Sequence, residues 1–178
     1  MKQKKFYLYH IDMKYVRDLH KVDDKVSSVS PQIGKEKRAY VGIVVLCNNQ
    51  QYCIPLSHPQ KKHHNMKPSI DFEKIYNNDK LIAVLNYNLM IPVNSNQLIP
   101  IDFRKNKNDK EKDKYYKRLC NNELMWCRKN QEKIINKANV LYNKYLSDEY
   151  FSARGRCVDF TKLEKVCKKY NEKSKFPP

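Results

Sequence analysis

Arg38-Ala39-Tyr40-Val41-Gly42-Ile43-Val44-Val45-Leu46-Cys47-Asn48-Asn49-Gln50-Gln51-Tyr52-Cys53-Ile54-Pro55-Leu56-Ser57 reads as two strands joined by a turn. The first ten residues are a near-continuous β-branched run, the pattern of a buried strand. Asn48-Asn49-Gln50 supplies turn residues, and Gln51 to Leu56 forms the return, so the stretch is a hairpin. Arg38 and Ser57 both lie at its open end, opposite the turn. The basic loop that feeds the first strand, with Lys35, Lys37 and Arg38, is therefore expected beside Ser57.

Directly downstream come His58, Pro59, Lys61, Lys62, His63, His64 and Lys67. Proline lacks the ladder donor, so the strand should end near Ser57. A hydroxyl, imidazoles and ammonium groups then gather at a strand end, on a rigid support yet within reach of solvent. Histidine moves protons near neutral pH, and lysine stabilises phosphate charge. These are parts suited to cleaving RNA with its own 2′-hydroxyl as nucleophile and no metal or other cofactor. The plainer alternative is a solvated basic loop. A histidine metal site is weakly supported, because no carboxylate or thiolate nearby completes a ligand set.

Outward from the hairpin, Phe6 to Ile11 alternates and is aromatic-rich, a first strand. Asp12 caps an expected helix over residues 13–21, with Tyr15, Val16 and Leu19 on its apolar side. After the hairpin, strands are expected over residues 70–75, 81–86, 89–93 and 98–103. Residues 104–114 are almost all Lys, Asn and Asp, and read as a solvated linker. Helices are expected over residues 114–129 and 131–146, and a third begins at Asp159 or Thr161. The chain is thus read as one α+β domain spanning residues 1–178. Residues 1–103 are β-rich, a small barrel or sharply twisted antiparallel sheet, and residues 115–172 are helical.

The chain has 178 residues and a formal net charge of +17. Its pI of about 9.6 and mean hydropathy of −0.85 describe a basic, water-facing molecule. A single-sign field of that size favours a polyanionic partner, and nucleic acid fits better than membrane because no basic amphipathic helix with a strong apolar face is evident. The six cysteines form no Cys-x-x-Cys pair, which argues against a zinc ribbon. They are read as reduced core residues in a cytoplasmic protein. No apolar leader and no run of transmembrane length is apparent.

Several stretches resemble the ToxN/AbiQ/CptN family, the protein toxins of type III toxin–antitoxin and phage-abortive systems. They are Phe6-Tyr7, Tyr15, Leu19 with Asp23-Asp24-Lys25-Val26, and Arg38 to Val44. Tyr52 with Pro55-Leu56-Ser57-His58-Pro59, Met90-Ile91-Pro92 and Tyr116-Lys117-Arg118-Leu119 follow in the same order. The resemblance implies a strongly curved antiparallel sheet like the Kid/MazF core with added helices. It implies a metal-independent endoribonuclease that cuts A-rich RNA to 2′,3′-cyclic phosphate and 5′-hydroxyl ends. It also implies inhibition by a repeated RNA pseudoknot that the toxin processes, in a closed assembly of alternating toxin and RNA units. By resemblance Ser57 falls on the active-site Ser/Thr position, Arg38 on a basic residue at the entry of the central strand, and Tyr15 on a tyrosine lining the pocket. The family often continues Ser-Pro-Lys after the first hydroxyl. Here His58, Pro59 and Gln60 stand there and Lys61 follows, which leaves open which lysine meets the phosphate.

The chemistry needs a base for the 2′-hydroxyl, an acid for the leaving oxygen and positive charge on the phosphorane. Arg38 and Lys61 are assigned the charge, Ser57 the positioning of phosphate or proton, and His58 or His63 the acid–base role. Lys35, Lys37, Lys62, His64 and Lys67 are assigned to phosphate contacts. Arg104, Lys105, Tyr115, Lys117 and Arg118 are assigned to a groove for the antitoxin RNA, with Tyr115 and Tyr116 available for stacking on unpaired bases. The competing reading is a non-catalytic basic RNA-binding protein. A DNA-binding regulator is disfavoured by the lack of helix-turn-helix or zinc-finger spacing.

Overall fold

The computed structural model describes residues 3–27, 39–45 and 48–175. Asn49 takes a positive φ in the turn of the expected hairpin, between β2 (Tyr40–Val45) and β3 (Gln51–Ser57). The two strands pair from Val45↔Gln51 to Tyr40↔Pro55, and Leu56 donates its backbone N–H to Ala39 at 2.9 Å. On the outer side of β2 lies β1 (Tyr7–Ile11), and beyond it β7 (Leu98–Pro100). Between β1 and β2 in sequence is α1 (Met13–Val22). The Asp12 carboxylate accepts from the Tyr15 N–H there, a side-chain cap for one of the helix's orphan donors.

β3 has two partners on its other edge. Its first half pairs with the two-residue β6 (Ile91–Pro92), through Tyr52↔Pro92 and Cys53↔Ile91. Its second half pairs with β5 (Lys80–Asn86), through Leu56↔Leu85 and Ser57↔Val84. The changeover falls at Pro55. Since Leu56 turns its N–H toward β2, residue 55 faces the other edge, where proline has no donor to offer. The sheet continues to β4 (Phe72–Asn77), joined to β5 by a two-residue turn in which Asn78 and Asp79 both have positive φ. All pairings are antiparallel, in the order β4-β5-β3-β2-β1-β7. Among the described residues no pairing joins β4 to β7, so of the two expected forms, a small barrel or a twisted antiparallel sheet, no closed barrel is found.

The helical part comprises α3 (Glu111–Lys129), α4 (Gln131–Ser147) and α5 (Phe160–Lys175). Their apolar stripes share one core with the sheet, built on Phe6, Leu8, Tyr52, Ile75, Leu85, Leu124, Ile134, Tyr142, Phe160 and Leu163 among others. Full burial of each such side chain contributes about 1.5–3 kcal/mol. The Glu164 carboxylate accepts from the hydroxyls of both Tyr52 and Tyr142 at 2.7 Å, tying β3, α4 and α5 together.

Several local readings differ from the sequence reading, among them the strand expected over residues 98–103, which ends at Pro100. The α3 helix starts inside the expected linker, because Glu111 and Asp113 suit the positive end of the helix dipole. The remaining linker is not free: Asp102 pairs with Arg104, and Asp109 accepts from Lys117 at 2.8 Å. The strand expected over residues 70–75 begins at Phe72, since Asp71 is held by Arg156 and Ser69. The run 89–93 is a 3-10 turn, Tyr87–Leu89, followed by β6. The expected basic loop contains a short helix, α2 (Lys61–Asn65).

Strand alternation decides which residues β4 and β5 send to each face. Glu73 turns toward α4, where Lys133 and Lys137 both approach its carboxylate at 3.0 Å. Phe72 and Lys74 turn the other way, toward α2.

Candidate active site at the end of β3

Ser57 is the last residue of β3 and is partly exposed. Its in-register partner on β5 is Val84, whose own partner on β4 is Lys74. The three residues therefore lie in one row on one face. Asn86, two residues along β5 on the same face, donates its amide to the Ser57 hydroxyl oxygen at 3.0 Å. That bond occupies a lone pair of Oγ and leaves the O–H free to donate outward.

His63 lies over this face, its ring 6.3 Å from that of Phe72. Its Nδ1 accepts the backbone N–H of Gln60 at 2.9 Å, which caps the start of α2. An accepting Nδ1 is unprotonated, so the neutral ring carries its proton on Nε2. Burial first, and then the charges of Lys62, Lys74 and His64, hold the His63 pKa below its ordinary value. In this geometry His63 offers a hydrogen-bond donor at Nε2 and no open lone pair for a base. His58 is exposed next to Ser57, and among the described residues no hydrogen bond engages its ring, so it is the better placed of the two for proton transfer. Lys61, Lys62, His64 and Lys67 are exposed along the same segment.

Other residues singled out in the sequence lie elsewhere. Tyr15 is fully buried and donates its hydroxyl to the Pro92 carbonyl at 2.6 Å. Pro92 pairs with Tyr52, which is five residues from Ser57 along β3, or roughly 16 Å at strand rise. The structure gives Tyr15 a place in the core, packed edge-on against Tyr170, and does not bring it to Ser57. Lys35, Lys37 and Arg38 lie outside the described residues.

On α3, Tyr115 is 55% exposed with the Arg118 guanidinium 5.7 Å from its ring centre. Lys105 is exposed, and Arg104 is exposed but paired with Asp102. Lys117 is turned inward: its ammonium donates to both Asp109 carboxylate oxygens and to the Arg104 carbonyl, which corrects its assignment as a free RNA contact. Tyr116 packs against the core and stacks near His10, which removes it as a free stacking platform.

Lys74 and Asn86 were missed in the sequence. The alternation across residues 70–75 could have placed Lys74 on a face, but not beside α2, whose His64 carbonyl its ammonium meets. Among the described residues, no three His, Cys, Asp or Glu side chains are grouped to hold a metal ion. The five described cysteines are free and buried, and burial raises their thiol pKa values. A separate open hollow of about 520 Å³ lies at the α3–α4 junction, lined by Lys5, Arg128, Gln131 and Lys133 among others. It shares no residue with the Ser57 face. No helix among the described residues is long and apolar enough to cross a membrane.

Comparison with known proteins places this arrangement in a family. The endoribonuclease ToxN of Pectobacterium atrosepticum is 28% identical over 170 residues, covering 93% of this chain and 94% of the relative. The endoribonuclease AbiQ of Lactococcus lactis subsp. lactis is 31% identical over 173 residues, covering 91% of this chain and 87% of the relative. The solved structure of AbiQ, a lactococcal anti-phage endoribonuclease of a type III toxin–antitoxin system, matches with a TM-score of 0.77 at 26% identity. That match covers 95% of this chain and 99% of the other. A second solved structure, from work on selective toxin inhibition by a non-coding RNA pseudoknot, matches with a TM-score of 0.76 at 26% identity over the same shares. The family profile for the toxin ToxN of type III toxin–antitoxin systems matches residues 7–168. The chain belongs to the ToxN family of type III toxin–antitoxin toxins.

Proposed function

We propose that this protein is an endoribonuclease toxin of a type III toxin–antitoxin system acting in phage defence, and that its active site is the Ser57 face. The observation that carries the reading is the Asn86–Ser57 hydrogen bond, which orients a strand-end hydroxyl beside a row of exposed cations. The naming of its relatives as endoribonucleases supports it.

In the proposed reaction the RNA 2′-oxygen attacks the adjacent phosphorus and loses its proton to a base, for which His58 is the candidate. The P–O5′ bond breaks and the leaving oxygen takes a proton from water, giving a 2′,3′-cyclic phosphate and a 5′-hydroxyl. Ser57 O–H and the Nε2–H of His63 donate to phosphate oxygens. Lys61, with Arg38 by family resemblance, balances the growing negative charge. No step requires a metal. The favoured substrate is A-rich RNA, by resemblance, and the curved sheet is read as the counterpart of the Kid/MazF core.

The same resemblance makes the partner a repeated RNA pseudoknot, held with the toxin in a closed assembly in the cytoplasm. Inhibition by a non-coding RNA pseudoknot in a structural relative supports that partner. The net charge of +17 supports a polyanion. We further take the chain to act as a single domain, with Lys62, His64, Lys67, Lys105, Tyr115 and Arg118 contacting RNA. The test is incubation with A-rich RNA in EDTA and analysis of the new ends, beside Ser57→Ala. Abundant cyclic-phosphate ends from the native protein and about a hundredfold fewer per unit time from the variant are expected. Cleavage abolished by EDTA would overturn the metal-free scheme. Binding without cleavage would favour a plain RNA-binding protein.

A further inference from the structure

The Ser57 face buries a cation that meets no carboxylate among the described residues. Lys74 is 7% exposed, and no carboxylate pairs with it among the described residues. Its neighbour Glu73 points to the opposite face, where two other lysines already meet it. Burying an unpaired ammonium is costly, so such a residue persists where it does something packing alone does not. Among the described residues its side chain makes one hydrogen bond, from Nζ to the backbone carbonyl of His64 at 3.0 Å. That carbonyl lies in the last turn of α2, where helix carbonyls lack partners and the dipole is negative. A five-residue helix does not hold its shape alone. At its two ends, His63 donates its N–H to the Gln60 carbonyl and Met66 to the Lys62 carbonyl.

We propose that Lys74 is a positioning residue of the Ser57 site: through the His64 carbonyl it pins α2 to β4 and so holds the His63 imidazole over the face that carries Ser57 and Asn86. The catalytic part of this inference rests on the proposed RNA cleavage; the positioning part does not. The charges around His63 are Lys62 and His64 on its own helix and Lys74 from the strand beneath. Burial first, and then these charges, hold the His63 pKa below its ordinary value, while the Gln60 N–H bond to Nδ1 places the neutral ring's proton on Nε2.

The experiment is an NMR titration of the His63 ring in the full chain, without RNA, for the native protein, Lys74→Met and Lys74→Gln. Loss of the cation and of the pin should move the His63 midpoint upward in both variants and erase the signature of an accepting Nδ1. In steady-state cleavage of an A-rich oligonucleotide, kcat should fall roughly tenfold or more with KM little changed. Lys74→Gln is too short to remake the bond to His64 but keeps a polar group there, and it should remain folded if the apolar Met side chain is not tolerated. If Lys74 only fills space, the variants will lower the melting temperature while the His63 midpoint, its tautomer and kcat stay at native values; that result overturns the proposal. Should the native protein not cleave RNA at all, the functional reading fails, while the His63 titration still decides the role of Lys74.

Discussion

Asn86 on β5 donates its side-chain amide to the Ser57 hydroxyl on β3 at 3.0 Å, two residues beyond the register partner of Ser57. The bond fixes a rotor that water would otherwise turn. Asn86→Ala should lower kcat for RNA cleavage about tenfold with little change in KM, and Ser57→Ala should lower it about a hundredfold. Because the two act through one hydroxyl, the double variant should be no worse than Ser57→Ala. Steady-state kinetics check this, and additive losses would separate the two residues.

Glu123, on α3, is buried, and burial pushes its carboxyl up to about 8. The folded protein therefore keeps a proton that the unfolded chain releases near the ordinary carboxyl value of about 4.3. Stability from this group is greatest below that value and is lost as pH rises toward 8, where the folded group ionises as well. Glu123→Gln should add on the order of 1–3 kcal/mol at pH 8 and almost nothing at pH 4. Urea unfolding at the two pH values reads the difference.

A Cβ built on Gly42 would stand 2.5 Å from the Cys53 sulfur on the paired strand. Gly42→Ala should destabilise the protein by about 1–3 kcal/mol through overpacking. Adding Cys53→Ala removes the obstructing sulfur and should recover part of that loss. Thermal melts of the two single variants and the double variant test the coupling.

Lys117 anchors the segment between β7 and α3 by its bonds to Asp109 and the Arg104 carbonyl. Lys117→Met should release residues 104–110, so that limited trypsin digestion cuts there faster than in the native protein. Cleavage at an unchanged rate would show that other contacts hold the segment.

The frame of the molecule was legible in the sequence. The β-branched run before Asn48 gave β2, Asp12 gave the start of α1, and helical periodicity gave α3 to α5. What was lost depended on contacts between distant segments. The α2 helix has five polar residues and no apolar stripe to announce it. Lys74 looked like an ordinary strand lysine because its bond to the His64 carbonyl of α2 is not written in the strand pattern. Asn86 looked like a residue at a strand end, and its contact with Ser57 spans 29 positions. Tyr15 was assigned to the pocket by resemblance, yet its hydroxyl is spent on Pro92.

Pro55 has a consequence for how the chain tolerates change. With no N–H on the edge facing β5 and β6, it divides that side of β3 into two short ladders that share no hydrogen bond across the break. A register slip or substitution in β6 is therefore insulated from the Leu56–Leu85 and Ser57–Val84 pairs. The strand can vary at the end beside α1 and α5 while the end that holds Ser57 keeps its alignment, a division built into the covalent chain.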